Sequence, residues 1–304
     1  IWRRNTESSD FRLYISSLMG GEERRKLIHE GLVNFQLDKG VSEQEAQQYA
    51  DANIDQYAKR LPQGYSDWES ALFKTGYQQD YNLSASAATK IPVFIGSLGY
   101  TKQTGVSLNS EMERFTGRVD ASNKYKKVEF GMNASFSWAK NVHLPEGKFY
   151  GSAIYASKVN LTPSTPIYNE DGTYASGYRE NNGYNPILEA EVNDYYARTV
   201  RAMGTAKIAY NVWDNLKVSS VFTVDYSLTK DFFFQSPDGR DGATYQGRGR
   251  MQMTDRIRYT SQNNLTYSKT FGKHSVSAVT AFEVMKYDYE DLYAAKKNLR
   301  AGYK

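Results

Sequence analysis

From Val128 to Trp138 the chain alternates without one error. Val128, Phe130, Met132, Ala134, Phe136 and Trp138 share one parity, and Glu129, Gly131, Asn133, Ser135 and Ser137 share the other. Successive side chains of an extended strand point to opposite faces, so this run specifies one apolar and one polar face. Strands of soluble domains usually run to about 5–6 residues. A strand crossing a bilayer at a tilt needs about 9–11. The run has the second length, and its two faces suit a wall with lipid on one side and water on the other.

The same period recurs along the chain. Tyr81, Leu83, Ala85 and Ala87 alternate with Asp80, Asn82, Ser84 and Ser86. Phe115, Gly117, Val119 and Ala121 alternate with Arg114, Thr116, Arg118, Asp120 and Ser122. Downstream come Ala202 to Tyr210, Leu216 to Leu228, Ile257 to Tyr267 and Val276 to Val284, and Ile91 to Tyr100 is a weaker segment with apolar residues on both faces. About eight strands are predicted, each near the length of a tilted crossing. Hydropathy does not argue against this, since strands with one apolar face average out as hydrophilic; the mean hydropathy is −0.67. No stretch approaches the roughly 18 consecutive apolar residues of a spanning helix.

Composition agrees with an all-β chain. Among 304 residues there are 25 Tyr and 23 Gly, and aromatics reach 14%. The 38 basic and 34 acidic residues leave a net charge of +4, with no basic face of the kind that would favour nucleic acid. The absence of Cys removes disulfide scaffolds, thiol catalysis and thiolate metal sites together. Residues 1–62 differ from the rest: Gly21 to Asn34 and Ser42 to Leu61 read as two short helices, with Ser42 and Glu45 as a capping box and Pro62-Gln63-Gly64 as the stop. The expected division is a helical lead-in over 1–65 and a portion of β-barrel over 66–304. Ile1-Trp2-Arg3-Arg4 shows no signal-peptide pattern, and the end shows no terminating strand, so the chain reads as an internal piece.

Connections alternate in length. Short ones are expected at Ala88-Thr89-Lys90, Asn123 to Lys127, Asn211 to Asn215 and Thr270 to His274; long ones at Thr101 to Ser110, Asn141 to about Tyr196 and Lys230 to about Arg250. Short periplasmic turns and long outer loops give bacterial outer-membrane barrels this asymmetry. Aromatics stand near strand ends as two girdles would require. Tyr125, Tyr210, Trp213, Tyr267 and Phe271 lie by the short turns, and Tyr100, Trp138 and Tyr226 lie towards the long loops.

Motifs of chemistry are weak. His29, His143 and His274 are isolated, Asp238-Gly239-Arg240-Asp241-Gly242 lacks the spacing and final Glu of a calcium loop, and Gly247-Arg248-Gly249-Arg250 is a slight RNA-type signal. No catalytic, cofactor or metal site is expected, and the chain is not read as an enzyme. Arg118, Asp120, Arg256 and Arg258 fall on the polar parity, where they would line a wet interior or meet a plug.

Ser66-Asp67-Trp68, Leu72 to Gly76 and Gln79 to Ser86 resemble the T-D-W, F-R-T-G and Q-N-Y-N-L-S-V-S-G stretches of the SusC/RagA-like TonB-dependent transporters. Gly99 to Val106, Glu113 to Val119, Pro166 to Tyr174, Asn185-Pro186-Ile187 and Asn264 to His274 are similar to further motifs of that family, in the same order. The resemblance implies about eight strands of a larger barrel of about 22, in the bacterial outer membrane, with signal peptide and plug outside this chain. It also implies import of oligosaccharide or peptide, energised by TonB and served by a SusD-like surface lipoprotein. The long loops then offer ligand-facing candidates: Tyr168, Tyr174, Tyr178, Tyr184, Phe232, Phe233, Phe234, Tyr245, Arg248 and Arg250. Aromatic faces stack on sugar rings and Arg bonds hydroxyl or peptide groups, although such rings also serve to pack a long loop on itself. Two rivals remain at this point: another TonB-dependent receptor such as a siderophore receptor, and a secreted all-β binding or adhesion module folded as a sandwich.

Overall fold

Lys126 and Lys127 alone separate two 15-residue strands, β3 (Glu111–Tyr125) and β4 (Val128–Val142). Two-residue links recur at Asp214-Asn215 and Gly272-Lys273. They join β5 (Asp194–Trp213) to β6 (Leu216–Gln235) and β7 (Arg248–Phe271) to β8 (His274–Lys297). Gly272 takes φ +59°, which costs nothing without a Cβ. With β1 (Tyr77–Ala88) and β2 (Val93–Thr104) these form one antiparallel sheet in the order β1 to β8, every strand paired to its sequence neighbour. The computed structural model describes residues 20–88, 93–143, 151–153, 156 and 160–299. The expected turn at Thr89-Lys90, the first four residues and the last five lie outside the described residues.

A single continuous ladder of eight strands replaces the two stacked sheets of the sandwich alternative. Opposed residues in antiparallel pairs share a face, so the register assigns faces across the whole sheet. The row Tyr81, Tyr100, Phe115, Trp138, Val200 and Leu228 is matched pair by pair from β1 to β6, and so is Ala87, Phe94, Ala121, Met132, Ala206 and Phe222. This is the apolar face. It is bare: Leu83 is 72% exposed, Leu98 66% and Phe282 67%. A one-layer sheet with such a face is stable only if something apolar covers it, and lipid does so. Among the described residues, no helix is long and apolar enough to cross a membrane.

The outer limit of the apolar face steps across the sheet. On β4 and β6 it ends at Trp138 and Leu228. On β7 it ends at Ile257, which pairs Tyr226, two residues short of Leu228. On β8 it ends at Val284, four residues short of the Asp288 that pairs Ile257. Beyond lie Arg198, Lys230, Asp255, Lys286 and Asp288. A stagger in one direction is what tilted strands produce when they cross a flat band.

β5 to β8 run well past the apolar limits, so Phe232, Phe233, Phe234, Arg248 and Arg250, expected in a loop, are strand residues. The apolar parity fails there, but the ladder continues, because backbone pairing does not require lipid on one side. At the other end, a register shift between Asn211 and Trp213 brings Trp213 onto the face of Tyr210. The indole is 63% exposed there, beside Tyr210 at 47%, as an inner girdle requires.

A second compact unit is made of the described residues 20–75, 106–108, 151–153, 156 and 160–192. It holds α1 (Gly21–Leu37), α2 (Glu43–Asn53), α3 (Trp68–Leu72) and α4 (Pro186–Val192). The capping box of α2 forms as expected, with Glu45 N–H donating to Ser42 Oγ and Ser42 N–H to the Glu45 carboxylate. α2 stops at Asn53, earlier than Leu61, where a 3-10 turn over Ile54–Gln56 intervenes. There Arg60 grips Glu22 of α1 through two hydrogen bonds of 2.7 Å. Arg60 holds the Glu22 carboxyl below its ordinary range.

Candidate functional site

Within the second unit, the motif residues build a scaffold. Asp67 caps α3 by accepting the Ser70 N–H at 3.0 Å, and that hydrogen bond keeps its carboxyl below the usual range. Trp68 is then buried with Leu72 and Ala153, flanked by Phe73, Leu108, Leu161, Ile167 and Ile187. Its Nε1–H donates to Thr165 O at 3.0 Å, so the indole is packed and satisfied at once. Asn185 does comparable work at α4. Its Nδ2 donates to Ile167 O and Ala175 O, both at 2.9 Å, while its Oδ1 accepts from Ile187 N–H.

Tyr168 and Tyr174 flank a tight turn in which Asp171 accepts from Thr173 N–H and Oγ1, and Gly172 takes φ +81°. Their rings meet at 5.2 Å, and the Tyr174 hydroxyl donates to the Glu191 carboxylate. That acceptor, with burial second, pushes the Tyr174 phenol up to about 12. One side of the pair is thus committed to the loop, while Tyr168 stays 46% exposed. Tyr178 is exposed at 41%, and Tyr184 is half-buried beside the buried Asn185.

On the sheet, alternation splits the expected trio of phenylalanines. Phe232 shares the apolar face with Tyr196, at 4.9 Å, and Phe234 is buried on the same parity. Phe233 faces the polar side, edge-on to Tyr195 at 4.5 Å. Arg250 lies over the Phe233 ring at 4.1 Å, and Arg248 stands between Phe233 and Tyr245 at 5.3 and 4.8 Å. Four candidates, Phe233, Tyr245, Arg248 and Arg250, therefore converge at one spot. Arg248 and Arg250 share a face because they stand two residues apart on one strand, where a loop was expected.

Below this cluster the polar face carries ion pairs both within a strand and between strands. Arg118 meets Asp120 at 2.6 Å on β3, Arg201 of β5 is bidentate to Asp225 of β6, and Glu129 sits between Lys124 and Lys217. Thr254 and Gln252 of β7 donate to Asp291 of β8 at 2.8 and 3.0 Å. The sequence marked Arg118 and Asp120 as wet-face charges. It left Asp225 and Asp291 unmarked, and only the register brings Asp225 to Arg201 and Asp291 to Gln252 and Thr254.

A chain with this geometry can be set beside known proteins. No family model matches it. TonB-dependent receptor P3 of Formosa agariphila is 27% identical over 252 residues, 80% of this chain and 25% of the receptor. TonB-dependent receptor SusC of Bacteroides thetaiotaomicron is 28% identical over 120 residues, 38% of this chain and 12% of SusC. The RagAB peptide importer in its closed-closed state superposes with a TM-score of 0.72 at 20% identity, over 95% of this chain and 34% of that one. The chain is a relative of the SusC/RagA-like TonB-dependent receptors. It spans about a quarter of the length of the receptor P3 it matches, and its sheet is a partial barrel wall of the bacterial outer membrane.

Proposed function

We propose that this wall belongs to an outer-membrane active importer of oligosaccharide or peptide, energised through TonB and served by a SusD-like surface lipoprotein. The observation that carries the reading is the two-faced sheet itself. An apolar outer face ends in the aromatic row Tyr81, Tyr100, Phe115 and Trp138, with ring centroids 4.7 to 6.3 Å apart, and backs onto a polar wall of paired charges. Such a wall separates lipid from a wet lumen, and strands continued beyond the lipid raise the lumen into a vestibule where cargo is first met. Oligosaccharide is the cargo we favour, because the cluster of Phe233, Tyr245, Arg248 and Arg250 offers ring faces together with guanidinium donors. The reading concerns transport and assigns no chemical step to the chain.

The test is made on the complete receptor in its native membrane. Fractionation and affinity capture should recover it from the outer membrane with a surface lipoprotein attached, and labelled oligosaccharide uptake should stop when TonB is deleted. Recovery as a detergent-independent soluble protein, or uptake indifferent to TonB, would refute it.

A further inference from the structure

The polar side of β7 repeats one kind of group. Arg248, Arg250, Gln252, Thr254, Arg256 and Arg258 occupy every second position, a column about 34 Å long at the usual strand rise of about 3.4 Å. The upper pair is stacked on Phe233 and Tyr245, as described above. The lower pair is stacked too: Arg256 lies over Tyr289 at 5.6 Å and Arg258 over Tyr287 at 5.5 Å. Elsewhere on this face Arg118, Arg201 and Lys217 have carboxylate partners. Among the described residues Arg256 and Arg258 are in no such ion pair, and both are exposed. Asp225 stands opposite Arg258 in the ladder and feels its charge, but its two oxygens are held by Arg201 through hydrogen bonds of 2.9 and 2.7 Å.

The column is also rich in donors and poor in free acceptors. Asp291, opposite Thr254, is taken by Gln252 and Thr254 themselves. A peptide backbone presents as many N–H donors as C=O acceptors and so needs acceptors as well as donors, whereas an acidic sugar adds carboxylate or sulfate acceptors to its apolar ring faces. Planar guanidiniums pair carboxylate or sulfate bidentately, and neighbouring tyrosines offer stacking surfaces. We propose that the lumen side of β7 and β8 is a binding track for anionic oligosaccharides, with Arg256 and Arg258 pairing the acidic groups and Tyr287 and Tyr289 stacking on the rings. The proposal rests on the import reading and narrows its cargo to sugars that carry negative charge.

The complete receptor, purified in detergent, is titrated calorimetrically with hexagalacturonate, a sulfated galactan hexasaccharide, the neutral cellohexaose and hexaglutamate peptide. At least one anionic sugar is expected to bind on the order of tenfold more tightly than cellohexaose, and its affinity should fall as salt is raised. Whichever of the two binds better identifies the acidic group. Arg256→Gln with Arg258→Gln should remove that preference while the melting temperature holds, and Tyr287→Ala with Tyr289→Ala should weaken all the sugars. Equal binding of neutral and anionic sugars overturns the proposal, as does tighter binding of hexaglutamate. So does an arginine double variant that melts earlier yet keeps the preference, since the arginines would then brace the interior. If that variant does not assemble, the wild-type comparison of neutral with anionic sugars decides alone. A receptor that imports cellohexaose or peptide and ignores both anionic sugars loses this proposal and keeps the import reading. One that imports nothing loses the import reading.

Discussion

Met132 and Asn133 are adjacent, and a single residue step places them on opposite sides of the wall. Arginine introduced at each position isolates the environment of the face from everything else. Val128 to Trp138 spans about 34 Å along the strand, and a tilt of about 40° projects that to about 26 Å, close to the ~25 Å apolar band of outer-membrane barrels. Met132 then sits about 10 Å above the inner edge of the band, near its middle. It is 57% exposed on the apolar face, with Ala121 and Ala206 as its cross-strand neighbours. Neither offers a partner for a charge, so Met132→Arg should cost about 2–4 kcal/mol of folding free energy in a bilayer, about 30- to 1,000-fold in the folded fraction. Asn133→Arg enters the wet face beside Asp120, which Asn133 already contacts, and should cost well under about 1 kcal/mol. The assay is urea titration of the complete receptor in lipid vesicles, read by the gel shift of the folded barrel and by its level in the outer membrane. Equal costs, or a larger cost at Asn133, would refute the assignment of faces.

Other expectations follow from the second unit. Trp68→Ala should destabilise it by about 3–5 kcal/mol, the range for a large buried aromatic, and should expose residues 160–192 to limited proteolysis. Trp68→Phe, which keeps most of the packing but loses the bond to Thr165, should cost about 1 kcal/mol from that bond, plus a smaller packing loss. Ser42→Ala should weaken α2 by about 1 kcal/mol and raise hydrogen exchange in its first turn. Tyr174 should ionise near 12 by ¹³C-tyrosine NMR, above its ordinary 10.0, and Glu191→Gln should bring it back down. Because the folded value is raised, the stability it contributes is complete below about pH 10 and is lost as pH rises through about 12.

Much of the wall was legible in the sequence because one physical rule governs it. Lipid on one side imposes strict alternation, and Val128 to Trp138 obeys it residue by residue. Legibility failed where lipid ends. β7 begins at Arg248, nine residues before Ile257, since the ladder persists after the apolar parity has gone. β2 read weakly because Val93 and Ile95 stand on the polar parity beside Ser122 and Asp120, and only pairing fixes their face. The capping box of α2 was legible because its two bonds are local. Trp68 and Asn185 were visible as motif letters, but their partners Thr165, Ile167 and Ala175 are distant in sequence or have no side-chain signature. For the candidate site, residue types nominated ten residues, and the ring contacts gather four of them, Phe233, Tyr245, Arg248 and Arg250. Composition could not separate Phe233 from Phe232 and Phe234; parity does.

The most direct test of the two-faced wall uses the absence of native cysteine in this chain. Single cysteines placed in turn from 129 to 137 in the complete receptor, any cysteine outside this chain first being replaced by serine, are probed in intact outer membranes with a charged, water-soluble maleimide and with a lipid-soluble one. Positions 129, 131, 133, 135 and 137 should react with the aqueous reagent, and 130, 132, 134 and 136 with the lipid-soluble reagent alone. Reactivity that fails to alternate, or that alternates in the opposite phase, would contradict the account.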